Sequence, residues 1–158
     1  MGRYYWGDIE GKFAFGVQSS YDPEEFGTKA IELHQWDCGC ESEYGTPPED
    51  CWHTEGTKSS EEPNTQCDSP FKLKFNFCSS QMEYIKEKLD EILTIIPENF
   101  FKYMKDPEYY SKETLSEKFN VSIPEISNYF IYYYRYELGK EIYDYLLEND
   151  TCTFYGEL

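Results

Sequence analysis

The stretch FKLKFNFCSSQMEYIKEKLDEILTII, residues 71–96, contains the change of period that decides the fold. Phe71, Leu73, Phe75 and Phe77 alternate with Lys72, Lys74 and Asn76, the period of a strand with one buried face. From Met82 the apolar residues recur at helical spacing, as Ile85, Leu89, Ile92, Leu93 and Ile96, and they form the stripe of an amphipathic helix. Ser80 with Glu83 reads as its capping box, and Pro97 interrupts it.

Upstream of this switch the chain reads as sheet. Residues 3–8 and 12–18 are aromatic-rich runs separated by Ile9-Glu10-Gly11, which predicts an antiparallel hairpin with Phe13, Phe15 and Val17 on one face. Asp22, Pro23 and Gly27 carry the cap, first-position and terminating chemistry of a single helical turn. Residues 29–36 read as a third strand, with Ile31 and Leu33 opposite Glu32 and His34. Downstream the pattern is helical. Short helices are predicted over 99–105 and 107–110, the second capped by Asp106, and longer ones over 112–120 and 123–148. Asn120 suits a left-handed C-terminal cap, and Ser122 with Glu125 makes a second capping box. The last helix buries Ile126, Phe130, Tyr133, Leu138, Ile142 and Leu146, and residues 151–155 return as an edge strand. Strands followed by helices predict an α+β fold: a small antiparallel sheet from the N-terminal half, with a C-terminal helical layer packed on one face.

A chain of 158 residues is one domain's worth, so 1–158 reads as a single domain. Thirty-one Asp and Glu against fourteen Lys and Arg leave a net charge of −17, yet 19% of the residues are aromatic, enough for a core. The excess is uneven. Residues 34–70 carry nine acids and only Lys58, a net of −8, while 1–33 carry −3 and 71–158 carry −6. Within that stretch, 37–70 is rich in Gly and Pro, nearly devoid of aliphatic side chains, and reads as an acidic, Cys-containing surface insertion. A field of this sign repels nucleic-acid phosphates and anionic lipid and attracts basic protein surfaces. The expectation is a protein partner with a basic surface, no direct nucleic-acid or membrane contact, and a cytoplasmic location.

Several constellations carry chemistry. Cys38, Cys40, Cys51 and His53 are ligand types that tetrahedral zinc prefers. Their spacing matches none of the usual zinc patterns, so zinc and free thiols stay open as alternatives. Cys78 and Cys152 lie in apolar strand contexts and read as core residues. Asp8, Glu10 and Glu24 at neighbouring turns are the candidate ligands of a metal-dependent hydrolase or nucleotide-binding enzyme. The phosphate-loop, dinucleotide-binding, nucleophile-elbow and HExxH motifs are absent.

Tyr129, Tyr132, Tyr136 and Tyr143 share a stripe on the last helix, the residue type and placement of a binding face. The partner-binding set predicted from these features is Trp36, Tyr44 and Trp52 as anchors, Glu41, Glu43, Glu49 and Asp50 as the acidic surround, and Tyr132 and Tyr136 on the helix.

Residues 113–130, with Leu115, Phe119, Val121, Ile126 and Phe130 around Asn120, resemble a helix-turn-helix. Its second helix opens with Pro124, Glu125, Ser127 and Asn128 and has no cation before Arg135, so a packing role is expected rather than DNA binding. The opening GRYYWGDIEGKF, residues 2–13, resembles the start of small acidic proteins of viral and phage genomes. That resemblance implies a protein that blocks a host factor in the host cytoplasm. Three readings follow: a non-enzymatic inhibitor or regulator of a basic surface, the metal-dependent enzyme, and a structural or assembly protein whose Tyr stripe is a homodimer face.

Overall fold

A computed structural model describes residues 2–48 and 65–158. Six strands form one antiparallel sheet: β1 (Tyr4–Gly7), β2 (Gly11–Lys12), β3 (Ile31–Gln35), β4 (Glu41–Glu43), β5 (Lys72–Cys78) and β6 (Thr151–Glu157), in the order β2-β1-β6-β5-β3-β4. Four helices follow β5: α1 (Met82–Ile95), α2 (Glu98–Lys105), α3 (Lys112–Phe119) and α4 (Ile123–Glu148). The architecture is α+β, as the order of sequence periods predicts.

Alternation in the strands decides which face the helices cover. Leu73, Phe75 and Phe77 of β5 lie beside Cys152 and Phe154 of β6 and Tyr5 of β1, and all join one core cluster with Ile85, Leu89 and Ile92 of α1 and Leu138, Ile142 and Leu146 of α4. Each such side chain contributes roughly 1.5–3 kcal/mol by leaving water. The alternate residues Tyr4, Trp6, Lys72, Lys74 and Tyr155 face away from this cluster, with Trp6 stacked on Tyr155 at 6.2 Å between ring centroids.

β6 is not an edge strand. It pairs with β5 over seven residues, Lys72↔Glu157 to Cys78↔Thr151, and with β1 on its other side. Buried Cys152 and Phe154, with Gly156 between Phe13 and Phe75, are what suit it to the centre. A Cβ on Gly156 would stand 3.1 Å from the Phe13 ring, so glycine lets that ring lie over the strand.

Other local expectations are also replaced. The second strand stops at Lys12, because Gln18 folds back: its Oε1 accepts the Ala14 N–H at 2.8 Å and its own N–H donates to the Ala14 carbonyl at 2.9 Å. Phe13 is thereby buried, whereas Phe15 is left 76% exposed. The box preceding α1 is Cys78 with Gln81, whose Oε1 accepts the Cys78 N–H at 2.8 Å, rather than Ser80 with Glu83. Residues 107–110 are not helical; the Tyr103 hydroxyl donates to the Glu108 carbonyl at 2.7 Å and holds that segment as a loop. Asp22 is not a cap but a buried partner of Arg135, whose Nη2 lies 3.3 Å from its Oδ1. The α3 to α4 connection matches the reading closely, with Asn120 at φ 53° and the Ser122–Glu125 box both present.

Candidate functional site

Most of the residues that the sequence predicts for partner binding, where the structure describes them, gather on the β3–β4 hairpin at one edge of the sheet. Gly39, at φ 87°, makes the turn, with its N–H donating to the Trp36 carbonyl at 2.7 Å. The Trp36 indole N–H donates to Ser42 Oγ at 2.6 Å, which fixes the ring across the hairpin. Trp36 also bridges Gln66, and the Gln66 amide reaches back to the β4 end, donating to the Glu43 carbonyl at 3.1 Å and accepting the Gly45 N–H at 2.7 Å. On the other arm, the Asp37 N–H donates to the Thr65 carbonyl at 2.8 Å and its carboxylate accepts the Thr65 N–H at 3.1 Å. The chain on both flanks of residues 49–64 is therefore tied to this hairpin.

On this frame the side chains divide by face. His34 is buried, donates through Nδ1 to the Cys67 carbonyl at 3.1 Å, and supports the Tyr44 ring at 5.1 Å. The sequence reading put His34 on the solvent side of its strand. Tyr44 itself is 66% exposed and stands beside exposed Glu43. Glu41 is spent differently: it is ion-paired with Lys72, whose ammonium also lies over the Phe71 and Tyr155 rings. Among the described residues no cation is ion-paired with Glu43, so the open charge of β4 falls to Glu43 rather than Glu41. The 37–70 stretch is not all loop, since Glu41–Glu43 are a true edge strand. A cleft of about 710 Å³ opens beside it, lined by Leu33, Cys40, Glu41, Glu43, Lys72 and Lys74 among others.

Tyr132 and Tyr136 belong to a different neighbourhood. Both pack half-buried against the core. The Tyr136 ring meets Phe101 of α2 edge-on at 5.2 Å and Tyr132 lies under Arg135, so the stripe is largely where α2 and the helical turn Asp22–Phe26 dock. A cleft of about 370 Å³ beside Tyr136 carries Glu98 and Glu137 with Lys105 and Lys140.

Trp52, Glu49, Asp50, Cys51 and His53 lie outside the described residues. Cys38 and Cys40 sit at the hairpin turn, and among the described residues no group of three or more His, Cys, Asp or Glu is arranged to hold a metal. The carboxylates of the metal-dependent alternative are not brought together: Asp8 accepts the Thr153 N–H at 2.7 Å and Glu24 the Ala30 N–H at 2.8 Å, each serving the backbone. Burial pushes the Cys152 thiol up to about 12, with Asp8 and Glu141 adding to the shift, which suits a core thiol and not a nucleophile. Among the described residues no helix is long and apolar enough to cross a membrane.

The sequence reading missed Ser42 and Gln66, the two residues that lock the hairpin. Ser42 was legible in principle, because two-residue alternation puts it opposite Glu41 and Glu43 once that segment is taken as a strand. Nothing local marks Gln66, which acts from the far side of an insertion. Comparison with known proteins gives no family model, no curated protein and no solved structure that matches the chain.

Proposed function

We propose that this chain is a non-enzymatic interaction protein that docks its acidic β3–β4 corner onto a basic surface of a partner protein, such as a nucleic-acid-binding site, and blocks or regulates it. The observation that carries the reading is Tyr44, 66% exposed beside Glu43 on a hairpin clamped by Trp36, Ser42 and Gln66. A stiff aromatic with a polar tip supplies anchoring that charge alone lacks, and preorganisation lowers the entropy lost on docking. In sequence the acidic residues Glu49 and Asp50 follow this hairpin, and a net charge of −17 favours encounter with cations. The likeness of residues 2–13 to small acidic viral and phage proteins points to a host factor as the target.

The experiment is capture of the partner, followed by competition. A captured, identified protein should be displaced by duplex DNA and lost to the E43K/Y44A variant, while S42A, which removes the indole's acceptor without changing charge, should weaken it less. A partner that E43K/Y44A holds as tightly as the wild-type chain does would overturn the assignment of this corner.

A further inference from the structure

We infer that this chain forms a two-fold dimer through the sheet face opposite the helices, each copy laying its β2–β1 side on the other's β3–β4 side. Residues that neighbour one another across the strands share this face in two rows. The longer row runs Lys12, Tyr4, Glu157, Lys72, Leu33, Glu43, and the shorter one Trp6, Tyr155, Lys74, Ile31. The core cluster shared with the helices lies on the other face. Tyr4 is 51% and Trp6 39% exposed, and Lys12, whose ammonium lies 5.4 Å over the Tyr4 ring, and Glu43 are exposed at the two ends of the longer row.

The order of charges selects a second copy as the occupant. A two-fold axis along the strands, between β6 and β5, leaves three strands on each side and lays each row on its own reverse. Lys12 then meets Glu43 of the other copy, Tyr4 meets Leu33, and Glu157 meets Lys72. In the shorter row Trp6 meets Ile31 and Tyr155 meets Lys74. Every such contact is a pair of opposite charges, an apolar pair, or an ammonium on an aromatic ring. Among the described residues neither Lys12 nor Glu43 is in an ion pair. They stand on opposite edge strands of one sheet, so only a second copy brings them together.

Shape and area agree with this. Rotation about an axis along the strands turns a twisted sheet onto a surface with the same saddle, so the two faces stay in contact across their width. The Tyr4 ring goes to Leu33, at a cleft of about 710 Å³ lined also by Lys74, Tyr155, Pro47 and Pro48, which has room for it. A six-stranded face about 29 Å wide and about 16 Å along the strands has a flat footprint of about 450 Å² per copy. The projecting Tyr4 and Trp6 rings bring the total for two copies to the roughly 1,000 Å² that a specific interface needs, the size of a weak dimer. Repulsion between two chains of −17 is screened beyond about 8 Å at physiological salt, whereas the facing pairs are in contact. A basic partner and Lys12 of the second copy compete for Glu43, so the form that docks on a partner is the monomer.

The test is sedimentation equilibrium of the full chain, without partner, from about 5 µM to about 500 µM at about 0.15 M salt. The wild-type chain should pass from monomer to dimer within that range. K12E and E43K each set like charges at both ends of the interface, so each should dimerise at least about tenfold more weakly. An equimolar mixture of K12E and E43K chains should recover the wild-type constant, because each end then carries one acid and one base, and the K12E/E43K double variant should recover it too. W6A, which alters a ring outside the core cluster, should also weaken the dimer. Lys12 lies outside the acidic corner, so K12E should lose the dimer yet hold the captured basic partner at least as tightly as the wild-type chain does, which separates this inference from the docking reading. A chain monomeric throughout, a dimer that neither K12E nor E43K weakens, as one built on the helical Tyr stripe would be, or a mixture no stronger than its components would each overturn the inference.

Discussion

Replacing Gly139 by alanine should destabilise this protein, although the same change usually stabilises a helix. Gly139 lies inside α4, where exchange for Ala gains about 0.8–1.0 kcal/mol of intrinsic propensity. Here the added Cβ would stand 2.3 Å from two atoms of the Phe26 ring and 3.0 Å from Leu89 Cδ2. Phe26 is fully buried and its turn is closed by Gly27 at φ 94°, so the ring has no free direction in which to retreat. Overpacking of this kind costs about 1–3 kcal/mol and more in rigid sites. Because the ring cannot retreat, the upper part of that range, about 2–3 kcal/mol, applies, so the net loss is about 1–2 kcal/mol, which for a chain of this size lowers Tm by roughly 2–8 °C. The assay is two-state thermal or urea unfolding of G139A, F26L and the double variant. Because the shorter side chain vacates the contact, the double variant should be more stable than the two single changes sum to, by about 0.5–3 kcal/mol. A rise in Tm for G139A, or strict additivity, would refute the packing argument.

Two further predictions concern buried groups. Burial raises the Glu141 carboxyl above its ordinary range, opposed by the Tyr5 hydroxyl bond at 2.8 Å and reinforced by Glu137. A carboxyl whose folded pKa is raised contributes stability that is full below its unfolded value and lost as pH rises through the folded one. E141Q keeps an acceptor for Tyr5 without that titration, so its Tm should exceed the wild-type value at neutral pH and converge with it below about pH 4, near the unfolded Glu value; a difference independent of pH would contradict this. Cys152 should resist iodoacetamide in the native state and react only on unfolding, whereas exposed Cys67 should be labelled in the native state, as peptide mass spectrometry would read.

Legibility in the sequence followed the range of the interactions. The Ser122–Glu125 box, Asn120 in its left-handed cap and the alternation of β5 were readable because each depends on neighbours within a few residues. β6 was misplaced at an edge because its partners, β1 and β5, are more than seventy residues away in sequence, and strand composition alone does not say how many sides are paired. Phe15 continued an apolar alternation that Gln18 breaks through side-chain bonds to the Ala14 backbone. The same held at the candidate site. Glu43 and Tyr44 could be proposed from residue type, but the Lys72 partner that removes Glu41 from the acidic surface lies across the sheet, thirty-one positions further on.

The docking of the acidic corner on a basic partner surface is tested most directly by the salt dependence of that partner's affinity, for the wild-type chain and for E43K/Y44A. Between about 0.1 M and about 1 M salt the Debye length falls from about 10 Å to about 3 Å. The wild-type Kd should weaken by at least about tenfold over that range, some 1.4 kcal/mol, while the variant should be weak throughout and respond less steeply. A wild-type affinity indifferent to salt and shared by E43K/Y44A would contradict the account.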